Sequence, residues 1–171
     1  EFTFGKDRVG ELINEMGYPF LGSNCFDTEW EERVFDSTAY FEKGGVKVAV
    51  IGQHFPYTPI SNPSHLIEGW SFGIRTDEIQ KNVDEARSKG AEVVVLLSHN
   101  GFDVDQKLAT EITGIDVVLT GHTHDAVPEA IRINNTLILS SGSHGKYLGR
   151  IDLKVSGGEV VDANSTLIPI F

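Results

Sequence analysis

Val93-Val94-Val95-Leu96-Leu97-Ser98-His99-Asn100-Gly101 (residues 93–101) is the stretch that decides the architecture. An almost unbroken run of valine and leucine reads as a strand buried on both faces, which is what a parallel sheet demands. A helix pattern precedes it. Ile79, Val83 and Ala86 share one face, Thr76 is placed to cap the start, and Gly90 stops the end. After it come a short helix over residues 105–112, with Asp105 as its expected cap, and a second buried strand over residues 115–119. That strand also ends in histidines, at Gly121-His122-Thr123-His124. Strand, helix, strand predicts an α/β fold, whose ligands sit in the crevice beyond the carboxyl ends of the strands.

Upstream, Val9, Leu12, Ile13 and Met16 predict an amphipathic helix over residues 6–16, with Gly17 as its stop. Residues 18–22 read as a short buried strand, residues 33–41 as a strand closed by Gly44-Gly45, and residues 46–51 as a clearer one. Residues 53–70, with Pro56, Pro59 and Pro63, form a loop too long for a plain connection, which suggests a functional or lid role. Beyond Pro128 the texture changes to short strands at 130–133, 137–139, 147–155 and 160–167, a pattern expected of an antiparallel meander. No repeat or linker divides the 171 residues, so they read as one domain.

The formal net charge of −11 argues against a nucleic-acid partner, which would need clustered Lys and Arg. No apolar run is long enough to span a bilayer. The single cysteine, Cys25, excludes an internal disulfide but leaves the compartment open. The opening Glu1-Phe2-Thr3-Phe4-Gly5 lacks an initiating methionine and looks like a cut through a longer protein.

The histidines carry the chemistry. Gly121 permits a tight backbone that can turn His122 and His124 toward one point, and His99 ends the neighbouring strand. Neutral imidazole suits zinc, manganese or iron. The competing reading makes the three plain hydrogen-bonding side chains. Asp125 reads either as an acceptor that steadies the histidine loop or as simple surface polarity. No aspartate motif supplies the carboxylates that a two-metal hydrolytic site needs, and no catalytic acid can be assigned.

Ser98-His99-Asn100-Gly101, then Gly114-Ile115-Asp116 leading to Gly121-His122-Thr123-His124, and finally Gly142 to Gly149, resemble the later blocks of the 5′-nucleotidase branch of the calcineurin-like metallophosphoesterases. The opening Glu-Phe-x-x-Gly fits the tail of that family's Asn-His-Glu block. The resemblance implies a single partial catalytic domain over residues 1–171, the C-terminal half of a four-layer αββα sandwich whose early metal-ligand blocks lie upstream. Within the branch, Gly52 to Ile60, Asn100 to Asp105 and Asp125 to Pro128 are most similar to the SoxB-type thiosulfohydrolases of bacterial sulfur oxidation.

That likeness implies a periplasmic enzyme with two manganese ions that releases sulfate from a cysteine S-thiosulfonate borne on a SoxYZ-type sulfur carrier. His99 and His122 would bind one ion and His124 the other. Asn100 would meet an anionic substrate or cap the following turn, and His144 would touch substrate or lie at the surface. The Pro-rich loop, with Phe55, Tyr57 and Trp70, could receive the carrier arm or simply pack. The fragment alone is expected to be inactive and to offer an exposed sheet edge for dimerisation. A nucleotidase or cyclic-nucleotide phosphodiesterase, and a non-catalytic metal-binding or interaction domain, are the alternative readings.

Overall fold

The buried run lies in the middle of a mixed sheet in the computed structural model, which describes residues 1–171. In chain order the elements are α1 (Gly5–Glu15), β1 (Phe26–Asp27), β2 (Thr38–Lys43), β3 (Val46–Gln53), the one-turn α2 (Thr58–Ser61) and a 3-10 turn at Ser64–Leu66. Next come β4 (Trp70–Ser71), α3 (Thr76–Ser88), β5 (Val93–Ser98), α4 (Phe102–Glu111) and β6 (Val117–Thr120). The chain closes with β7 (Ile131–Ile133), β8 (Thr136–Leu139), β9 (Tyr147–Ser156) and β10 (Glu159–Pro169). Six strands form the main sheet in the order β2-β3-β5-β6-β8-β7. The inner four run parallel, and β2 and β7 are antiparallel edges.

One face of the sheet packs on α3 and α4. Ile79 and Val83 of α3 and Leu108 of α4 meet Leu96, Val118 and Ile138 in the largest cluster of buried apolar side chains. Burying each such side chain is worth about 1.5–3 kcal/mol, so this seam dominates the stability of the fold. The opposite face is only partly covered. Val117, Leu137 and Leu139 pack against Ile151, Leu153 and Ala163 of the β9–β10 hairpin, itself a separate two-stranded sheet. Helices, main sheet and hairpin account for three of the four layers expected. Toward the strand ends this second face is open: Leu97 is 50% and Leu119 is 37% exposed.

Several local expectations shift. Residues 18–22 form no ladder. Gly22 N–H donates to Asp36 O and Ser23 N–H to Gly52 O, so the segment crosses the end of β3 instead of pairing as a strand. The strand expected from residue 33 starts at Thr38. Thr76 does not cap α3; Arg75, held at φ 52°, precedes the helix and makes no side-chain cap bond. Helix α4 begins at Phe102, which puts Asp105 inside its first turn, fully buried, and not at a cap. The sheet also continues past Pro128, because β8 pairs parallel with β6 and only the β7–β8 and β9–β10 pairings are antiparallel hairpins. The Pro-rich stretch contains two short helical turns and returns at β4 to pair with β1. Its Trp70 packs in a small second core around Phe2.

Cys25 is wholly buried, and burial pushes its thiol up to about 12. In the folded chain it is therefore expected to resist alkylation by iodoacetamide at pH 8, and to react once the chain is unfolded in denaturant. Rapid modification of the native protein would contradict the packing. The linkage runs toward lower stability in alkali. The folded thiol keeps its proton to higher pH than the unfolded one, so stability falls as pH rises from about 9 toward 12.

Candidate metal centre

Strands β5 and β6 pair in register to their last residues, Ser98 opposite Thr120, so their following residues emerge side by side. Backbone bonds lock three loop bases together. His99 N–H donates to Gln53 O at the end of β3, and Gly121 N–H donates to Ser98 O. The His99 and His122 rings lie 5.2 Å apart between centroids. The phenyl ring of Phe55 stacks on His122 at 3.9 Å and 21°, and Tyr57 meets Phe55 edge-on. Phe55 and Tyr57 thus build a wall at the site, whereas Trp70 belongs to the core.

His122, His124 and His144 all hold positive φ, at 79°, 60° and 59°. Left-handed backbone at a non-glycine residue costs of order 1–3 kcal/mol and persists only where the surroundings impose it. His144, on the loop before β9, reaches within 5.8 Å of His124 between ring centroids, and its Nδ1 pairs with Ser143 Oγ at 2.8 Å. The four rings therefore form two neighbouring pairs, His99 with His122 and His124 with His144. No group of three His, Cys, Asp or Glu side chains is arranged to hold a metal ion by itself. The donors fit as partial sets that need further ligands. Burial, followed by the charges of His99 and His124, lowers the pKa of His122, which favours the neutral ring that coordinates.

Sequence reasoning missed Glu1 and His54. Glu1 Oε1 lies 2.7 Å from His99 Nδ1 and 3.7 Å from His54 Nδ1. Burial pushes the Glu1 carboxyl up, but the two imidazoles outweigh it and hold it far below the usual carboxylate range. A carboxylate on Nδ1 fixes the ring of His99 and leaves Nε2 free to coordinate. His54 stands behind it, 3% exposed and ringed by Phe2, Phe20 and Phe35. Its place is reserved by Gly22, where an added Cβ would fall 1.9 Å from Nε2. The signal available in sequence was the pairing of a glycine with a histidine among aromatic residues, which does not reveal a contact across the fold.

Asp125 reaches the histidine loop through Thr123, whose hydroxyl donates to its carboxylate and accepts from the Phe102 N–H at the start of α4. Its backbone carbonyl accepts from Ser140 Oγ and Gly142 N–H, fastening the loop to the end of β8. Asn100 is buried, with its amide nitrogen donating to Asp105 Oδ1 at 3.0 Å, so it holds the turn after His99.

Comparison with known proteins places this arrangement. No protein-family model matches the chain. Among curated proteins, the uncharacterized metallophosphoesterase YunD of Bacillus subtilis is 27% identical over 155 residues, 90% of this chain and 32% of that protein. The 2′,3′-cyclic-nucleotide 2′-phosphodiesterase/3′-nucleotidase of Salmonella typhimurium is 24% identical, over 100% of this chain and 32% of its own length. Among solved structures, the sulfate thiohydrolase SoxB of Thermus thermophilus superposes with a TM-score of 0.95 at 38% identity, over 99% of this chain and 31% of that one. The chain is homologous to metallophosphoesterases of the 5′-nucleotidase branch over nearly its whole length. It has the expected fold, with the mixed sheet and helices of the C-terminal part of that family's catalytic sandwich. Family members are hydrolases, and the family depends on two metal ions. The chain spans about a third of the length of YunD, of the Salmonella phosphodiesterase/nucleotidase and of the Thermus SoxB. None of its helices is long and apolar enough to cross a membrane.

Proposed function

We propose that residues 1–171 are the histidine-bearing part of a SoxB-type thiosulfohydrolase, acting on a cysteine S-thiosulfonate carried by a SoxYZ-type protein. What carries the reading is the likeness to the Thermus SoxB, 38% identical at a TM-score of 0.95, against 22–24% and 0.84–0.85 for two 5′-nucleotidases and the phosphoesterase YfkN. His99 and His122 would hold one divalent ion and His124 the other, with manganese as the expected metal, and carboxylates outside these residues would supply the remaining ligands. Such ions would supply Lewis-acid chemistry, activating a water and offsetting the charge that builds on the sulfonate oxygens. Glu1 keeps His99 aimed, and Phe55 fixes the plane of His122 and shuts water out on that side. His144 contacts the anionic substrate from beside His124, and Asn100 shapes the turn beneath it.

Water adds to the sulfonate sulfur, the sulfur–sulfur bond breaks, and the products are sulfate, a persulfide left on the carrier and two protons. The Pro-rich loop with Phe55 and Tyr57 receives the carrier arm, and the enzyme works in the periplasm. Residues 1–171 alone are inactive, and their exposed sheet edge favours self-association. The second reading, a 5′-nucleotidase or cyclic-nucleotide phosphodiesterase, draws on the curated relatives, several of which are nucleotidases. The deciding experiment supplies the full-length gene product with manganese and compares thiosulfonate-loaded carrier with nucleotides. Sulfate release from the carrier is expected. Turnover of nucleotides only would overturn the proposal.

A further inference from the structure

The buried carboxylate of Asp105 has no place in the reading above, yet it sits directly behind both histidine strands. It is 0% exposed, and no cation pairs with it. Its Oδ1 accepts from Ser98 Oγ at 2.8 Å and from Asn100 Nδ2 at 3.0 Å. Ser98 Oγ in turn accepts from the Asn100 N–H at 3.1 Å. Ser98 and Asn100 flank His99 in the chain. The other carboxylate oxygen and the hydroxyl of Thr120 are buried without hydrogen bonds. Thr120 ends β6 and stands two residues before His122. One side chain thus gathers the residues around His99 and neighbours the base of the His122 loop.

A buried ionised group with only neutral donors is costly unless the fold needs it. Burial pushes the Asp105 carboxyl up, while the Thr120, Ser98 and Asn100 side chains pull the other way. An apolar residue would pack here without that cost but could not hold two donors at one oxygen. An asparagine would present an amide to Ser98 or Thr120 where the site offers mostly donors.

We infer that Asp105 is the positioning residue of the metal centre, setting the spacing of His99 and His122 by fastening Ser98 and Asn100 on either side of His99 and standing against Thr120 at the end of β6. Supports behind a metal ligand act by holding its orientation, and their loss typically weakens metal affinity 10–100-fold. This inference rests on the metal reading above, and the test separates the two.

The full-length protein and its Asp105→Asn, Ser98→Ala and Thr120→Val variants are titrated with manganese by calorimetry, and each metal-free form is melted by circular dichroism. The expected result is manganese binding by the unaltered protein, with a dissociation constant raised roughly 10–100-fold in Asp105→Asn and by a smaller factor in the other two. A purely structural role would lower the melting temperature of the metal-free protein and leave the dissociation constant unchanged, which overturns the inference while the metal reading stands. If Asp105→Asn does not fold, Ser98→Ala, which removes a hydrogen bond to Asp105, decides by the same readout: weakened binding supports the inference and unchanged binding overturns it. Absence of manganese binding in the unaltered protein overturns the metal reading and this inference with it.

Discussion

His122→Ala is expected to lower manganese affinity by more than about 100-fold, beyond the 10–100-fold loss typical of residues that only support a ligand. It should leave the fold intact, because His122 is exposed beyond the end of β6 and contributes to neither apolar face of the sheet. A second substitution sharpens the result. His122 holds φ at 79°, a conformation that disfavours any side chain, and alanine keeps that strain. His122→Gly should lose metal just as completely, yet melt higher than His122→Ala by the equivalent of about 1 kcal/mol. Equal metal affinity in the unaltered protein and both variants would remove His122 from the centre. Equal melting of the two variants would mean that the left-handed backbone is not imposed on this loop.

The other large effect lies away from the histidine rings. Gly52→Ala should lower stability by about 3 kcal/mol or more, a loss at the upper end for overpacking. An added Cβ would come within 2.3 Å of the Leu21 carbonyl oxygen and 2.4 Å of its Cβ, and backbone cannot step aside as a side-chain tip can. The crossing is pinned from both sides, by Ser23 N–H on Gly52 O and by Gly52 N–H on Ser37 O. Gly10→Ala provides the contrast. Gly10 lies inside α1 with nothing within 4 Å of the added atom, so the change should stabilise by about 0.5–1 kcal/mol. Urea melts of the two variants decide it, and a Gly52→Ala protein as stable as the original would refute the packing of residues 18–24 over β3.

Periodicity and apolar runs were enough to recover the elements that matter. The spacing of Ile79, Val83 and Ala86 located α3, and the Val93 and Ile115 runs located the two strands whose ends carry the histidines. Caps were less legible, since Arg75 and Gly101 precede their helices through backbone geometry alone and no side-chain oxygen marks either start. The strand at β8 was legible but its pairing was not: Thr136 to Leu139 is too short to show whether its partner is the hairpin beside it or a strand some 20 residues back. In the site, the histidines at strand ends were readable because chain direction dictates where a parallel strand points. Glu1, His54 and Asp105 were not, because their importance lies in contacts between segments 98, 53 and 7 positions apart in the chain.

The three loop bases that carry the histidine rings share one hydrogen-bonded frame, His99 to Gln53 and Gly121 to Ser98, continuous with the central sheet. Such a centre has no independent assembly step. The rings come to their spacing when the strands zip together and lose it when the strands part, so metal capture by this centre would be coupled to folding. A bound ion would then act on the whole sheet as a clasp at its open end, and any change that loosens the helix-side core should be felt first as weaker hold on the ion.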